Sequence, residues 1–349
     1  MIGPARLLPK TWVGWGLIWL GFAVLAVAPW LATPFYVGLM TMAMIAAMLA
    51  LSLQLLVGGA GLVSLGHGAF YGLAAYVVYF LSPEGSARPI WITLPAAMAA
   101  AGAAAFLIGA VSLRTKGFFF LMVTLAFGQL VYSIFHDTKL GGGTDGAYLA
   151  KPLISAFGLT FEPSSLPRSK RSWPAYYVAL VQLMAMFAVL VLLVRSMFGR
   201  ALEGIRVNES RMRSLGFNTY AYKLAAFTIA GALAGAAGHM WAMQSGFVNP
   251  ELAGWHRSAE ALLHILLGGM GTLAGPIVGA FAFIFLNDFA QQITERKLLV
   301  EGAVILAAVL VMRNGITGLG RMSGLPNSHD GTAPEYDPPA SQREAHVDD

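Results

Sequence analysis

Polar residues are sparse along this chain. They arrive in clusters between apolar runs of about 20 residues, the length a helix needs to cross about 30 Å of hydrocarbon. Such runs occupy 11–31, 35–57, 61–81, 89–112, 117–135, 174–195, 223–243, 257–273, 275–293 and 298–312. Two depart from a plain span. The run 61–81 opens on glycines and polar residues and is expected to be broken rather than straight. The run 257–273, "RSAEALLHILLGGMGTL", is short and carries Glu260 and His264, as a re-entrant or partly interfacial segment would. The pattern predicts an all-α polytopic membrane protein of about 8–10 transmembrane helices.

Two longer polar stretches interrupt it, 136–173 and 196–222. The transmembrane domain is expected to cover 1–322. The remaining 323–349 is rich in Pro, Ser and acidic residues without an apolar period, and is expected to be a disordered cytoplasmic tail. "GGAGLVSLGHGAF" at 58–70 echoes "GGMGTLAGPIVGAF" at 268–281 with one extra residue, which raises an internal duplication of the kind common in transporters.

Composition agrees: 57% of residues are hydrophobic and 11% are charged. The net charge of +5 is spread over span-flanking loops, so it reads as orientation signals and not as a nucleic-acid surface. Arg6, Lys10, Arg114, Lys116, the 195–223 loop and Arg313 fall on one side of the alternating spans. This places the N- and C-termini inside, with "RSKR" at 168–171 the exception. The chain has no cysteine, which excludes disulfides and thiolate chemistry. The first apolar run is too long for a signal-peptide core and lacks a small-residue cleavage site, so it is expected to remain as an anchor.

The densest cluster of charge is "RALEGIRVNESRMRSLG" at 200–216. On one helix Leu202, Ile205, Met212 and Leu215 form an apolar stripe, Glu209 precedes Arg213 by four residues, and Gly216 stops the helix. Periodicity leaves two readings open: an interfacial helix lying on anionic membrane lipid, and a helix that docks into another protein.

"GRALEGIRVNESRMRSLGFNTYAYKLAAF" at 199–227 is similar to the cytoplasmic coupling loop of ABC-importer permeases of the branched-chain amino acid type. "LVSLGHGAFYGLAAY" at 62–76, "GGGTDGAYL" at 141–149 and "LLGGMGTLAGPIVGA" at 266–280 carry the same resemblance, in consistent order from about residue 35 to 320. It implies a bacterial inner-membrane permease that imports leucine, isoleucine or valine by alternating access. Related permeases carry urea, short amides or aromatic acids. Arg200, Glu203, Arg206, Asn208, Glu209 and Gly216 would then engage an ATPase subunit, which alone uses ATP. The resemblance also implies a second homologous permease subunit, and a periplasmic solute-binding protein meeting Thr144, Asp145 and Gly146 in the 136–173 loop. Where relatives place two alanines this chain has Arg211 and Met212, which suggests a dedicated ATPase.

Polar groups at membrane depth are the candidates for a solute pathway: Ser64, His67, Gln129, Gln244, Glu260 and His264, with Thr124, Asn249, Asn287 and Asp288 beside them. Each competes with a purely structural role as a helix-to-helix hydrogen bond. Glu260 and His264, four apart on one face, make no metal site without a third ligand. Gly231, Gly235, Ala234 and Gly238 form small pairs four apart that suit either internal packing or a permease dimer. HExxH, nucleophile-elbow and Walker sequences are missing, which argues against a membrane enzyme and against ATP hydrolysis on this chain. An ion-coupled secondary transporter would bury a carboxylate, and only Glu260 and Asp288 qualify.

Overall fold

A computed structural model describes residues 7–8, 12–82, 88–150, 154–156, 159–161, 167, 170–293 and 302. The expected run 298–312, apart from residue 302, and the tail 323–349 lie outside the described residues.

The apolar runs fold as helices, because in a medium without water a helix satisfies its own backbone. They are α1 (Trp12–Leu31), α2 (Pro34–Gln54), α3 (His67–Leu81), α4 (Ile90–Ser112), α5 (Phe118–Asp137), α6 (Trp173–Arg195), α9 (Thr219–Ser245), α10 (Trp255–Gly268) and α11 (Gly275–Ile293). Two short helices, α7 (Met197–Val207) and α8 (Glu209–Ser214), fold the 196–222 loop. Six helices among the described residues are long and apolar enough to cross a membrane unaided: α1, α2 with its continuation, α4, α5, α6 and α9.

The core gathers around α2, whose side chains from Ala43 to Gln54 are almost all buried. Helix α9 crosses α4 and α3 on its small residues. A side chain at Gly235 would stand 2.6 Å from Ala101 Cβ, and one at Gly238 would collide with the Tyr71 carbonyl. The small pairs of α9 thus serve packing within the chain. Phe70 and Phe120 both meet Phe227 edge-on, at 5.6 and 6.1 Å. By contrast α1 leaves Trp12, Leu17, Trp19, Val24 and Val27 exposed, as a helix bathed in lipid does. It is tied to α6 at a proline. Pro29 lacks the N–H that would bond Leu25, and the Tyr176 hydroxyl donates to that carbonyl at 2.6 Å.

The run 61–81 is broken, as expected. A π-helical turn (Leu55–Ala60) extends α2, residues 61–66 are non-helical, and α3 starts only at His67. The echoing stretch is also a break, with residues 269–274 non-helical between α10 and α11. The end of α2 holds this second break: the Gln54 amide donates to the Met270 carbonyl at 2.8 Å and the Thr272 carbonyl at 3.3 Å.

At the end of the bundle opposite α7 and α8, β1 (Ala147–Tyr148) pairs antiparallel with β4 (Phe247–Val248). A second antiparallel pair joins β2 (Ile154–Ala156) to β3 (Leu159–Phe161).

Candidate functional site

The charged stretch 200–216 is an elbow of two helices, not the single helix expected. Asn208 sits extended at φ −156 and its side chain accepts from the Arg211 N–H at 2.9 Å, ending α7 and capping α8. Ser196 caps α7 and Asn218 caps α9 in the same way, so three polar caps shape the whole loop. The break also divides the expected stripe. Leu202 and Ile205 are buried, and Met212 folds back onto α7 against Gly204. Leu215 points away, 65% exposed, because the turn at Asn208 rotates α8 out of register with α7. Gly216 stops α8 at φ 87, a conformation that L side chains rarely adopt.

Glu209 is the electrostatic centre of the elbow. Its carboxylate accepts from Arg213 at 2.6 Å, Lys223 at 2.6 Å and the Thr219 hydroxyl at 3.1 Å. Burial alone would raise this carboxyl. The hydrogen bonds from Lys223 and Arg213, the Lys223 charge and the Thr219 hydroxyl outweigh it and hold the pKa down at about 2. Arg200 and Arg211 are exposed, and Glu203 is half-buried and has no ion-pair partner among the described residues. Arg206 behaves differently from its neighbours. Its Nη1 donates to the Gly58 carbonyl at 2.6 Å, and its stem lies against Gly61, so it ties α7 to the turn that begins the break.

Beyond that turn, residues 61–66 run as non-helical backbone inside the bundle. The Leu65 N–H donates to the Thr124 hydroxyl at 3.3 Å and the Gly66 N–H to Ser64 Oγ at 3.3 Å. Irregular backbone at membrane depth persists only where protein buries it or where it lines a water-filled cavity. Ser64 and His67 are buried here, and Thr124 joins them. Gln129 is exposed on α5, next to Gly128, which packs against Gly66.

The remaining pathway candidates separate. Gln244 lies in the last turn of α9, at the end that carries β4. Glu260 and His264 do not pair. His264 is buried edge-on to Phe283 at 5.0 Å, and its ring nitrogens have no hydrogen-bond partner among the described residues. Glu260 Oε2 instead takes Arg257 Nη1 at 2.9 Å, with the guanidinium over the Trp241 ring at 5.2 Å. Arg257 was missed by sequence reasoning, although a lone Arg one turn before Glu260 in an apolar run was a readable signal. Among the described residues no three His, Asp or Glu side chains gather as metal ligands would.

"GGGTDG" is a packed structure and not a loose turn. Gly141, at φ 69, leaves no room for a side chain beside Tyr76, whose ring stacks on Phe135 at 3.9 Å. Thr144 and Asp145 stand exposed at its tip, with Gly146 half-buried below.

The family model described as branched-chain amino acid transport system / permease component matches residues 35–309. The high-affinity branched-chain amino acid transport system permease protein LivM of Escherichia coli (strain K12) is 32% identical over 343 residues, 91% of this chain and 79% of the relative. Permease protein BraD of the corresponding Pseudomonas aeruginosa system is 23% identical over 78% of this chain and 91% of its own. Permease protein LivH of E. coli is 28% identical over 40% of this chain and 46% of its own. No solved structure matches the chain. A family match over most of the length, on a bundle with a capped polar elbow at one end and broken helices within it, establishes that the chain belongs to the permease components of branched-chain amino acid transport systems.

Proposed function

We propose that this chain is the transmembrane permease subunit of an ATP-driven importer, moving branched-chain amino acids into the cytoplasm by alternating access. The observation that carries the reading is the α7–α8 elbow. It is rooted inward through Leu202, Ile205 and Arg206 and offers Arg200, Glu203 and Arg211 outward. A helix that rested on lipid would turn its apolar stripe to the membrane. Here the stripe is broken: Leu202, Ile205 and Met212 turn onto the chain itself while Leu215 stands apart on the second helix. This leaves no continuous apolar face for lipid, and an outward surface of Arg200, Glu203 and Arg211 with single apolar side chains between them, suited to a protein groove.

That groove belongs to a separate ATPase subunit, which uses the ATP; this chain needs no cofactor of its own. Arg211 stands outward where relatives place a small residue, and this favours a dedicated ATPase. The E. coli system has two permease proteins, LivM and LivH, that both resemble this chain, which supports pairing with a second, homologous permease. Thr144, Asp145 and Gly146 would meet a solute-binding protein at the opposite end. The elbow then faces the cytoplasm of a bacterial inner membrane, with the chain N-in and C-in. Ser64, His67 and Gln129, around the 61–66 break, are the first candidates for the pathway wall.

The test is the double variant Glu203→Ala with Glu209→Ala in the assembled transporter. ATP-driven leucine uptake is expected to disappear while membrane insertion stays normal. Unchanged uptake would refute docking at this surface.

A further inference from the structure

Helix α3 begins at buried His67, and α10 begins beside it with Gly254 and Ser258 buried and Trp255 exposed. From His67 to its far end at Leu81, α3 rises about 20 Å. That end joins the outer layer, where the Ala150 N–H donates to the Ser82 carbonyl at 3.2 Å. Helix α10 is anchored from the other side. The break 269–274 after it is held by Gln54, which lies about 30 Å along α2 from Pro34, and Trp255 stands about 20 Å back from that break. Both measures put residues 67–68 and 255–258 in the middle third of a hydrocarbon core about 30 Å thick. The two beginnings touch there. The Gly68 N–H donates to Ser258 Oγ at 2.7 Å, and a side chain at Gly68 would stand 3.1 Å from Arg257 Cβ.

At this depth sits the Arg257–Glu260 pair, with side chains 32% and 41% exposed. A half-exposed charge pair facing lipid at mid-membrane is costly, so such pairs face protein or a watered passage and mark solute routes. Water in such a passage screens the exposed side of the pair, which lets each partner be exchanged there. The first turns of α3 and α10 add positive potential beside Arg257, the arrangement with which broken transporter helices meet anionic groups.

We propose that the Arg257–Glu260 pair is a mid-membrane docking point for an α-amino-acid zwitterion, with the solute carboxylate on Arg257 and its ammonium on Glu260. The proposal rests on the amino-acid import reading. Exchanging the internal pair for two matched pairs leaves no charge unpaired. An amine or an acid leaves one of the two side chains without its partner and an uncharged amide leaves both, and this selects against them. The Trp241 ring under the guanidinium holds Arg257 in place when Glu260 is given up.

The test uses the complete transporter in proteoliposomes with radiolabelled leucine, comparing wild type, Arg257→Met, Glu260→Met and the double methionine variant. Each single change strands a charge and is expected to lower uptake at least about tenfold. The double variant distinguishes the roles: a structural pair is rescued by removing both charges, whereas a docking point stays defective. Leucine binding to the permease without its binding protein is expected to exceed binding of isopentylamine and isocaproate, and to be lost in the double variant. Wild-type leucine uptake with a fully active double variant would overturn this site alone. A wild-type transporter that imports no amino acid would overturn the reading beneath it.

Discussion

Glu209 is the residue on which the elbow's order depends, and its chemistry sets a pH window. Its carboxyl is held at about 2, below its ordinary 4.5, so the stabilisation is complete above 4.5 and is lost as pH falls toward 2. Partly exposed pairs of this kind contribute about 1 kcal/mol together, or about a fivefold change in local opening. Hydrogen exchange of residues 208–219, corrected for intrinsic rates, is therefore expected to rise about fivefold across that interval. Glu209→Gln should show the raised exchange already at neutral pH; equal exchange in the two proteins would remove these ion pairs from the loop's stability. The Glu209–Arg213 pair was readable from its spacing of four residues. Lys223 and Thr219 were not, because only the turn at Gly216 brings the start of α9 back over α8.

Among elements, the contact that joins the two ends of the mechanism is Arg206 on the Gly58 carbonyl. A charge-assisted hydrogen bond of this kind is worth about 1.5–3 kcal/mol, so losing it changes an equilibrium by about tenfold or more. Arg206→Met should leave the outward face of the elbow intact. The ATPase is therefore expected to remain bound and hydrolyse ATP while leucine uptake falls about tenfold, measured side by side in proteoliposomes; uptake that keeps pace with hydrolysis would contradict the link. The seam between α4 and α9 gives a prediction of another kind. A valine at Gly235 would be forced against Ala101, an overpacking that costs about 1–3 kcal/mol. Gly235→Val is expected to lower the Tm in detergent by several degrees, and an unchanged Tm would show that the seam is slack. The small pairs of α9 were visible in the sequence, but their partner was not: spacing identifies a face for close approach and says nothing of which helix approaches.

At the scale of the whole molecule, orientation can be tested directly, because the natural chain has no cysteine. Thr144→Cys and Ser210→Cys are exposed at opposite ends of the bundle. In intact cells a membrane-impermeant maleimide is expected to label the first and to reach the second only after permeabilisation; the reverse pattern would invert the topology. Where helices lie was legible from sequence, since each apolar run must satisfy its own backbone in a medium without water. The weakness of the run 61–81 was legible too, because glycines and polar residues at its start cannot sustain a buried helix. Tertiary structure decided the rest. Periodicity treats 200–216 as one rod, whereas Asn208 bends it by capping a second helix and Arg206 turns inward to the π-helical turn it meets. Spacing along a helix suggested Glu260 with His264, whereas packing gave Glu260 to Arg257 and buried His264 against Phe283. A sequence encodes what each segment needs from its solvent, and that fixes element and membrane depth. Which side chains meet depends on how segments distant in the chain lie against one another, and only the folded bundle determines that.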